Sequence, residues 1–276
     1  MPELLKKGGK GFFKYPLRMK VVFHRSFLEM YVGDPAASYG RLDHALDLVR
    51  RKYPLFEPSP STEKDVLLVH SRSHLESVRR EDAVFSMALL AAGATITAAE
   101  ISWGGEAAFA LCRPPGHHAS PDSSWGFCYF NNIAIAVQKL FQQGKIEKAL
   151  IIDFDLHYGD GTSNIFADNP AVSYWHVWGR ERVSFLQNLK GYLKDMQTDL
   201  VAVSAGFDRH KQDWGGMLTT ADYGAIGTIL GDFARERCQG RVFAALEGGY
   251  NPRTLGDSTL AFLDGLAGQA LDDRTE

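Results

Sequence analysis

A chain of 276 residues has room for one large domain or two small ones, at roughly 100–200 residues each. Its 45% apolar and 23% charged residues are ordinary for a globular protein and exclude collagen-like, coiled-coil and wholly disordered chains. Thirty basic against thirty-three acidic side chains leave a formal charge of −3, without the basic excess that phosphate-backbone binding requires, so no direct nucleic-acid partner is expected.

In chain order, residues 1–18 are basic and hold no apolar run of the length that a signal peptide or membrane span requires. They read as a surface arm, and no membrane partner is expected. Short apolar runs follow at 66–69, 108–112, 149–154, 172–175, 200–204 and 242–246. They are apolar on both parities, as strands buried on both faces of a parallel sheet are. Between them, segments 41–52, 84–100, 133–143, 185–194 and 221–237 have helix length, and the alternation predicts an α/β fold. No repeat or long linker divides the chain; 56–65 reads as a connecting loop, and a single domain over 1–276 is expected. Cys112, Cys128 and Cys238 are too few and too dispersed for a disulfide framework or a cysteine-based zinc module, which points to the reducing cytoplasm.

Four of the predicted strands run into glycine-containing polar loops: RPPGHH, DLHYGDG, AGFD and EGGYN. Ligands of open α/β sheets bind beyond the carboxyl ends of the strands, so the four loops are predicted to meet on one rim. In IIDFDLHYGDG, Asp153, Asp155 and His157 fall at i, i+2 and i+4 on a strand running into a loop, and such side chains point to one side. Carboxylates with an imidazole in that array suit a divalent metal, whereas a lone Asp-x-Asp would read as a turn. His117 and His118 diverge on an extended loop, so each can take its own carboxylate; that pairing fixes the tautomer and makes the other ring nitrogen more basic. Asp208 by itself reads as a turn or helix-capping residue, and Tyr250 after Gly248 and Gly249 as a packing tyrosine.

In order, RPPGHHA, WGFCYFNNIAIA, DFDLHYGDGT, SAGFDRHKQDWGG and LEGGYN resemble the metal-dependent histone deacetylase family, which includes acetylpolyamine amidohydrolases, over about residues 21–265. The resemblance implies a single-domain, arginase-like three-layer sandwich with a mainly parallel central sheet. It implies Asp155, His157 and Asp208 as metal ligands, His117 and His118 as catalytic histidines with Asp153 and Asp160 as their carboxylate partners, and Tyr250 as the group that polarises the substrate carbonyl. Gly126 and Phe127 match residues lining an acyl-lysine channel. The implied reaction is metal-assisted hydrolysis of an acyl-lysine or another acylated amine, with zinc as the default ion and Fe(II) or Co(II) also suited to the donor set. A catalytically weak binding module and a binuclear ureohydrolase are the alternatives. Both histidines, both partner aspartates and Tyr250 argue against the first; the single aspartate of GFDRH argues against the second.

Three departures stand out. The family holds a K⁺ ion beside the metal loop with help from a serine, and here His176 takes that place. The carbonyls of Asp153, Asp155, His157 and Val177 remain as the expected cation ligands. The stretch from His176 to Asp208 is short, so Trp178 or Phe185 is expected to supply the second aromatic wall of the channel, unless the channel is open on that side. Asp82 is the expected counterpart of the family's rim aspartate.

Overall fold

The computed structural model describes residues 16–269; residues 1–15, most of the expected surface arm, and 270–276 lie outside the described residues. Seven strands form one sheet: β1 (Met19–Val22), β2 (Leu55–Phe56), β3 (Ala107–Ala110), β4 (Ala149–Asp153), β5 (Val172–His176), β6 (Leu200–Ala205) and β7 (Val242–Leu246). Their order is β2-β1-β3-β7-β6-β4-β5, and every pairing is parallel. The four strands that carry the polar loops, β3, β7, β6 and β4, are therefore neighbours at the centre of the sheet.

Nine α-helices are described: α1 (Asp43–Val49), α2 (Glu63–Val66), α3 (Arg72–Arg79), α4 (Asp82–Trp103), α5 (Asn132–Gln142), α6 (Asp160–Phe166), α7 (Arg182–Leu193), α8 (Thr220–Arg237) and α9 (Pro252–Ala267). They fall into two packing groups around the sheet, one built on α4 with α2, α3 and α5, the other on α8 with α1, α7 and α9. This gives the expected three layers. Helix α4 is long and apolar enough to cross a membrane, but most of that stretch is buried against α5, β1, β3 and β7, as befits a core helix.

The run at 66–69 is not a strand. Thr62 and Asp65 form a capping box that starts α2 one turn earlier, and helical turns continue through it, with the His70 N–H donating to the Val66 carbonyl at 3.0 Å. Helix α9 lay unread between clear signals: Asn251 caps it, Pro252 occupies its first turn, and Gly268 ends it in the left-handed conformation. Its glycines serve contact with α8. A Cβ on Gly265 would stand 2.1 Å from the Gly224 carbonyl oxygen, and one on Gly227 would stand 2.1 Å from that of Phe262. Two helix backbones meet there with no room for a side chain. Gly265→Val is expected to cost about 1–3 kcal/mol through overpacking, read as a lower urea midpoint with unchanged slope; a wild-type midpoint would show that the crossing can open.

Candidate active site

The loops after β3, β4, β6 and β7 bring the predicted residues to one rim. Asp155 and Asp208 are fully buried, and with His157 they offer ligand atoms that all lie within 4.8 Å of one another. His157 Nδ1 is 3.2 Å from Asp155 Oδ1 and 3.2 Å from Asp208 Oδ2. The remaining oxygens are fixed by backbone: Asp155 Oδ2 accepts from the Gly248 N–H at 2.8 Å, and Asp208 Oδ1 from the Leu156 N–H at 2.9 Å. Asp208 Oδ2 is buried and accepts no hydrogen bond. An orphaned carboxylate oxygen beside an imidazole and a second carboxylate fits a divalent cation, which would satisfy all three.

The electrostatics agree. Burial and the facing Asp155 carboxylate raise the pKa of Asp208, and contacts to Asp155 and Asp208 push His157 up to about 10. A divalent cation would offset the charge of both buried carboxylates. The backbone approaches too closely for side chains here. A Cβ on Gly248 would stand 2.6 Å from Asp155 Oδ2 and 2.7 Å from Asp208 Oδ2, and one on Gly206 would stand 2.1 Å from Asp155 Oδ2.

The two histidines take separate carboxylates. His117 Nδ1 lies 3.0 Å from Asp153 Oδ2, which also accepts from the Tyr174 hydroxyl at 3.1 Å; His118 Nδ1 lies 2.7 Å from Asp160 Oδ1. Their environments differ. Burial alone would lower the pKa of His117, but Asp155 and Asp153 outweigh it and raise the group well above the ordinary histidine value. His118 is lowered by burial and by the charge of His117. Their surroundings push the two rings in opposite directions, the kind of separation that gives paired titratable groups different roles.

Aromatic rings cover this pair and the tyrosine. Trp125 lies tilted against His118 with centroids 3.9 Å apart, and its Nε1–H donates to Asp160 Oδ2 at 2.9 Å, so one indole orients both members of that dyad. Gly126 and Phe127 both have positive φ, and a Cβ on Gly126 would stand 2.5 Å from His118 Cδ2. At Phe127, with φ of 65°, the conformation is strained for a bulky residue and costs about 1–3 kcal/mol. The turn directs its ring against Tyr250, centroids 6.0 Å apart.

The ring opposite Phe127 is neither Trp178, which is 61% exposed, nor Phe185, which is wholly buried on α7. It is Trp214, 6.5 Å from Phe127 and stacked on Tyr250 at 3.8 Å, with its edge toward His157. Trp214 follows Asp213, whose Oδ2 accepts from the Tyr250 and Asn251 N–H groups, so the loop after Asp208, not the stretch between His176 and Asp208, delivers the indole. Asp82 is the exposed first residue of α4, where a carboxylate complements the helix dipole.

Sequence reading missed Glu247, Arg41 and Arg209. Glu247 Oε2 accepts from the Gly116 and His117 N–H groups at 2.7 and 3.1 Å and so anchors the histidine loop; burial pushes its pKa up to about 7. His117, Cys128 and Glu247 also offer ligand-type atoms within 4.8 Å of one another, but burial beside Glu247 pushes the Cys128 thiol up, away from the thiolate that binds metals. Buried Arg41 donates to the carbonyls of Gly249 and Glu247, both at 2.7 Å, and carries the loop of Tyr250. Glu247 alone carried a sequence signal, a charged residue between an apolar run and two glycines.

A K⁺ ion does not fit the residues present. Asp155 and Val177 carbonyls, two of its expected ligands, accept from the Arg209 guanidinium, and the Asp153 carbonyl accepts from the Val177 N–H at 2.8 Å.

A parallel α/β sheet with a carboxylate–imidazole donor cluster and two histidine–carboxylate pairs on its carboxyl edge is the architecture of a metal-assisted hydrolase. The chain matches the histone deacetylase domain over residues 36–185 and 180–266. A probable deacetylase of Methanothermobacter thermautotrophicus is 31% identical over 79% of this chain and 81% of its own length, and one of Archaeoglobus fulgidus is 31% identical over 84% and 81%. The crystal structure of the HDA15 HD domain superposes with a TM-score of 0.79 at 25% identity, covering 93% of this chain and 91% of that one. The chain belongs to the histone deacetylase family, and its function is hydrolytic deacetylation.

Gly248→Ala is expected to weaken divalent-metal affinity about 10–100-fold by pushing both aspartates aside, measured by competition with a coloured chelator. Unchanged affinity would mean that the cradle yields.

Proposed function

We propose that the chain hydrolyses the amide of acyl-lysine or of a small acylated amine, with a divalent ion, zinc by default, held by Asp155, His157 and Asp208. The observation that supports this most directly is the unpartnered Asp208 Oδ2 facing His157 and Asp155, with two histidine–carboxylate pairs on the same rim. When bound, the metal supplies Lewis acidity, polarising the carbonyl and lowering the pKa of a water to about 7.

His118 is the base: with Nδ1 committed to Asp160, its Nε2 removes a proton from the attacking water and returns it to the departing amine. His117, with its Nδ1 held by Asp153, presents its other ring nitrogen to favour the negative charge that develops on the substrate. The Tyr250 hydroxyl donates to the former carbonyl oxygen. Phe127 and Trp214 flank the aliphatic stem of the substrate, with Gly126 keeping the wall thin beside His118. Water and amide yield a carboxylic acid and an amine. A cytoplasmic location belongs to the proposal, supported by three buried cysteines that are free thiols.

The test is a panel of acetyl-lysine peptides, acetylpolyamines and longer-chain acyl-lysines, assayed with chelator-stripped and metal-restored protein. Activity is expected to vanish on stripping and return with metal; full activity without metal would overturn the reading. Tyr250→Phe is expected to retain metal and lose about 10²–10³ in kcat, the cost of one oxyanion donor; wild-type turnover would remove Tyr250 from its role. Asp160→Asn is expected to lower kcat/KM by about 10²–10⁴. It should also shift the acid limb of the pH profile downward, because the lost hydrogen bond had raised the basicity of His118. An unmoved acid limb would assign that limb to another group.

A further inference from the structure

Arg209 is an arginine only 8% exposed, placed directly after the candidate metal ligand Asp208. Its Nε–H is shared between the carbonyls of Phe154, at 3.2 Å, and Asp155, at 3.0 Å. Its Nη2 donates to the carbonyls of Leu156 at 3.3 Å and Val177 at 3.4 Å, and lies 3.0 Å from His176 Nε2. The guanidinium carbon stands 5.1 Å from the centre of the Phe185 ring. Among the described residues no carboxylate lies within 4.0 Å of it, so its charge is held by backbone dipoles, an imidazole nitrogen and a ring face. Neutral oxygens turned inward on a cation are how a protein holds a dehydrated monovalent ion.

We propose that Arg209 is a built-in replacement for the monovalent cation, and that this protein neither binds nor responds to K⁺ at the metal loop. Carbonyls of three consecutive residues, Phe154, Asp155 and Leu156, point at the guanidinium, and this is the strand end that delivers Asp155 and His157. Val177 and His176 hold it from the end of β5, the strand beside β4. One side chain therefore ties the β4 loop, the end of β5 and the Asp208 loop together, and it places a fixed positive charge near Asp153, Asp155 and Asp208. A diffusible ion entering that space would meet a guanidinium already bonded to two of its four expected ligands, the carbonyls of Asp155 and Val177. His176 fits the replacement: its Nε2, as an acceptor, takes a hydrogen bond from the Arg209 guanidinium where a serine hydroxyl would coordinate an ion. Arg209 is a positioning residue, acting on the candidate ligands through the backbone that carries them.

The proposal rests on the reading of Asp155, His157 and Asp208 as metal ligands only for its affinity arm; the melting arm involves no divalent metal. Thermal melting of the wild-type chain is compared in potassium, sodium and tetramethylammonium chlorides at equal ionic strength, alongside Arg209→Ala. The wild type is expected to melt at the same temperature in all three. The variant is expected to melt about 5–10 °C lower in tetramethylammonium, as the loss of several buried hydrogen bonds implies. It is expected to recover part of that loss saturably with K⁺ or with guanidinium ion, which refill the vacated acceptors. Zinc affinity of the variant is expected to fall about 10–100-fold and to rise again with the same cations. Rescue separates a cation role from plain packing, because no packing defect is repaired by K⁺. A saturable K⁺ stabilisation of the wild type would overturn the proposal, as would a variant that melts like the parent or one that folds but gains nothing from either cation. If the variant does not fold, the salt series on the wild type decides alone. Failure of the affinity arm with success of the melting arm would count against the metal-ligand reading instead.

Discussion

Charge concentrated in a dry place is the constraint from which this rim follows. Asp153, Asp155 and Asp208 are buried at the ends of two adjacent strands, β4 and β6, where unpaired carboxylates would cost several kcal/mol each. Each surrounding group answers that charge. His117 and Tyr174 bond Asp153, His157 bridges Asp155 and Asp208, and backbone N–H groups of Leu156 and Gly248 take one oxygen from each of the latter two. Arg209 adds a fixed cation from behind. The oxygen left without a hydrogen bond, Asp208 Oδ2, is where the proposed divalent ion would complete the balance.

The central sheet explains why residues so distant in sequence meet. Because β3, β7, β6 and β4 are consecutive in space and all parallel, their carboxyl-end loops form one edge. Small residues on β3 and β7 leave room for the helices packed on the sheet, and glycine contacts bring α8 and α9 together within their layer. Glycine recurs at the rim for a similar reason. Gly206 and Gly248 admit the carboxylates, and Gly126 admits the His118 ring.

How much of this was legible in the sequence depended on how local the signal was. Five of the six apolar runs are strands, and the motif residues stand together where strand polarity put them. The run at 66–69 misled because apolar content does not separate strand from helix over four residues; the Thr62–Asp65 capping box did. Strand β2 is two exposed residues with no pattern to read, and α9 was hidden by interior glycines that lower helix propensity but serve packing. Trp214, Trp125, Glu247 and Arg209 were missed because their roles arise from contacts across the rim. In the linear text Arg209 is merely the residue after an aspartate, and its occupation of two expected cation ligands emerges only when β4, β5 and the β6 loop converge.

The stacking of Trp214 on Tyr250 has an optical consequence. An indole 52% open to water, in face contact with a phenol and edge contact with an imidazole, emits light according to what stands beside it. A guest entering along the proposed channel beside Phe127 would displace water from the indole, altering emission intensity and wavelength. The molecule thus carries an internal gauge of occupancy, readable without label or coupled reagent, at the spot where arrival of a guest matters.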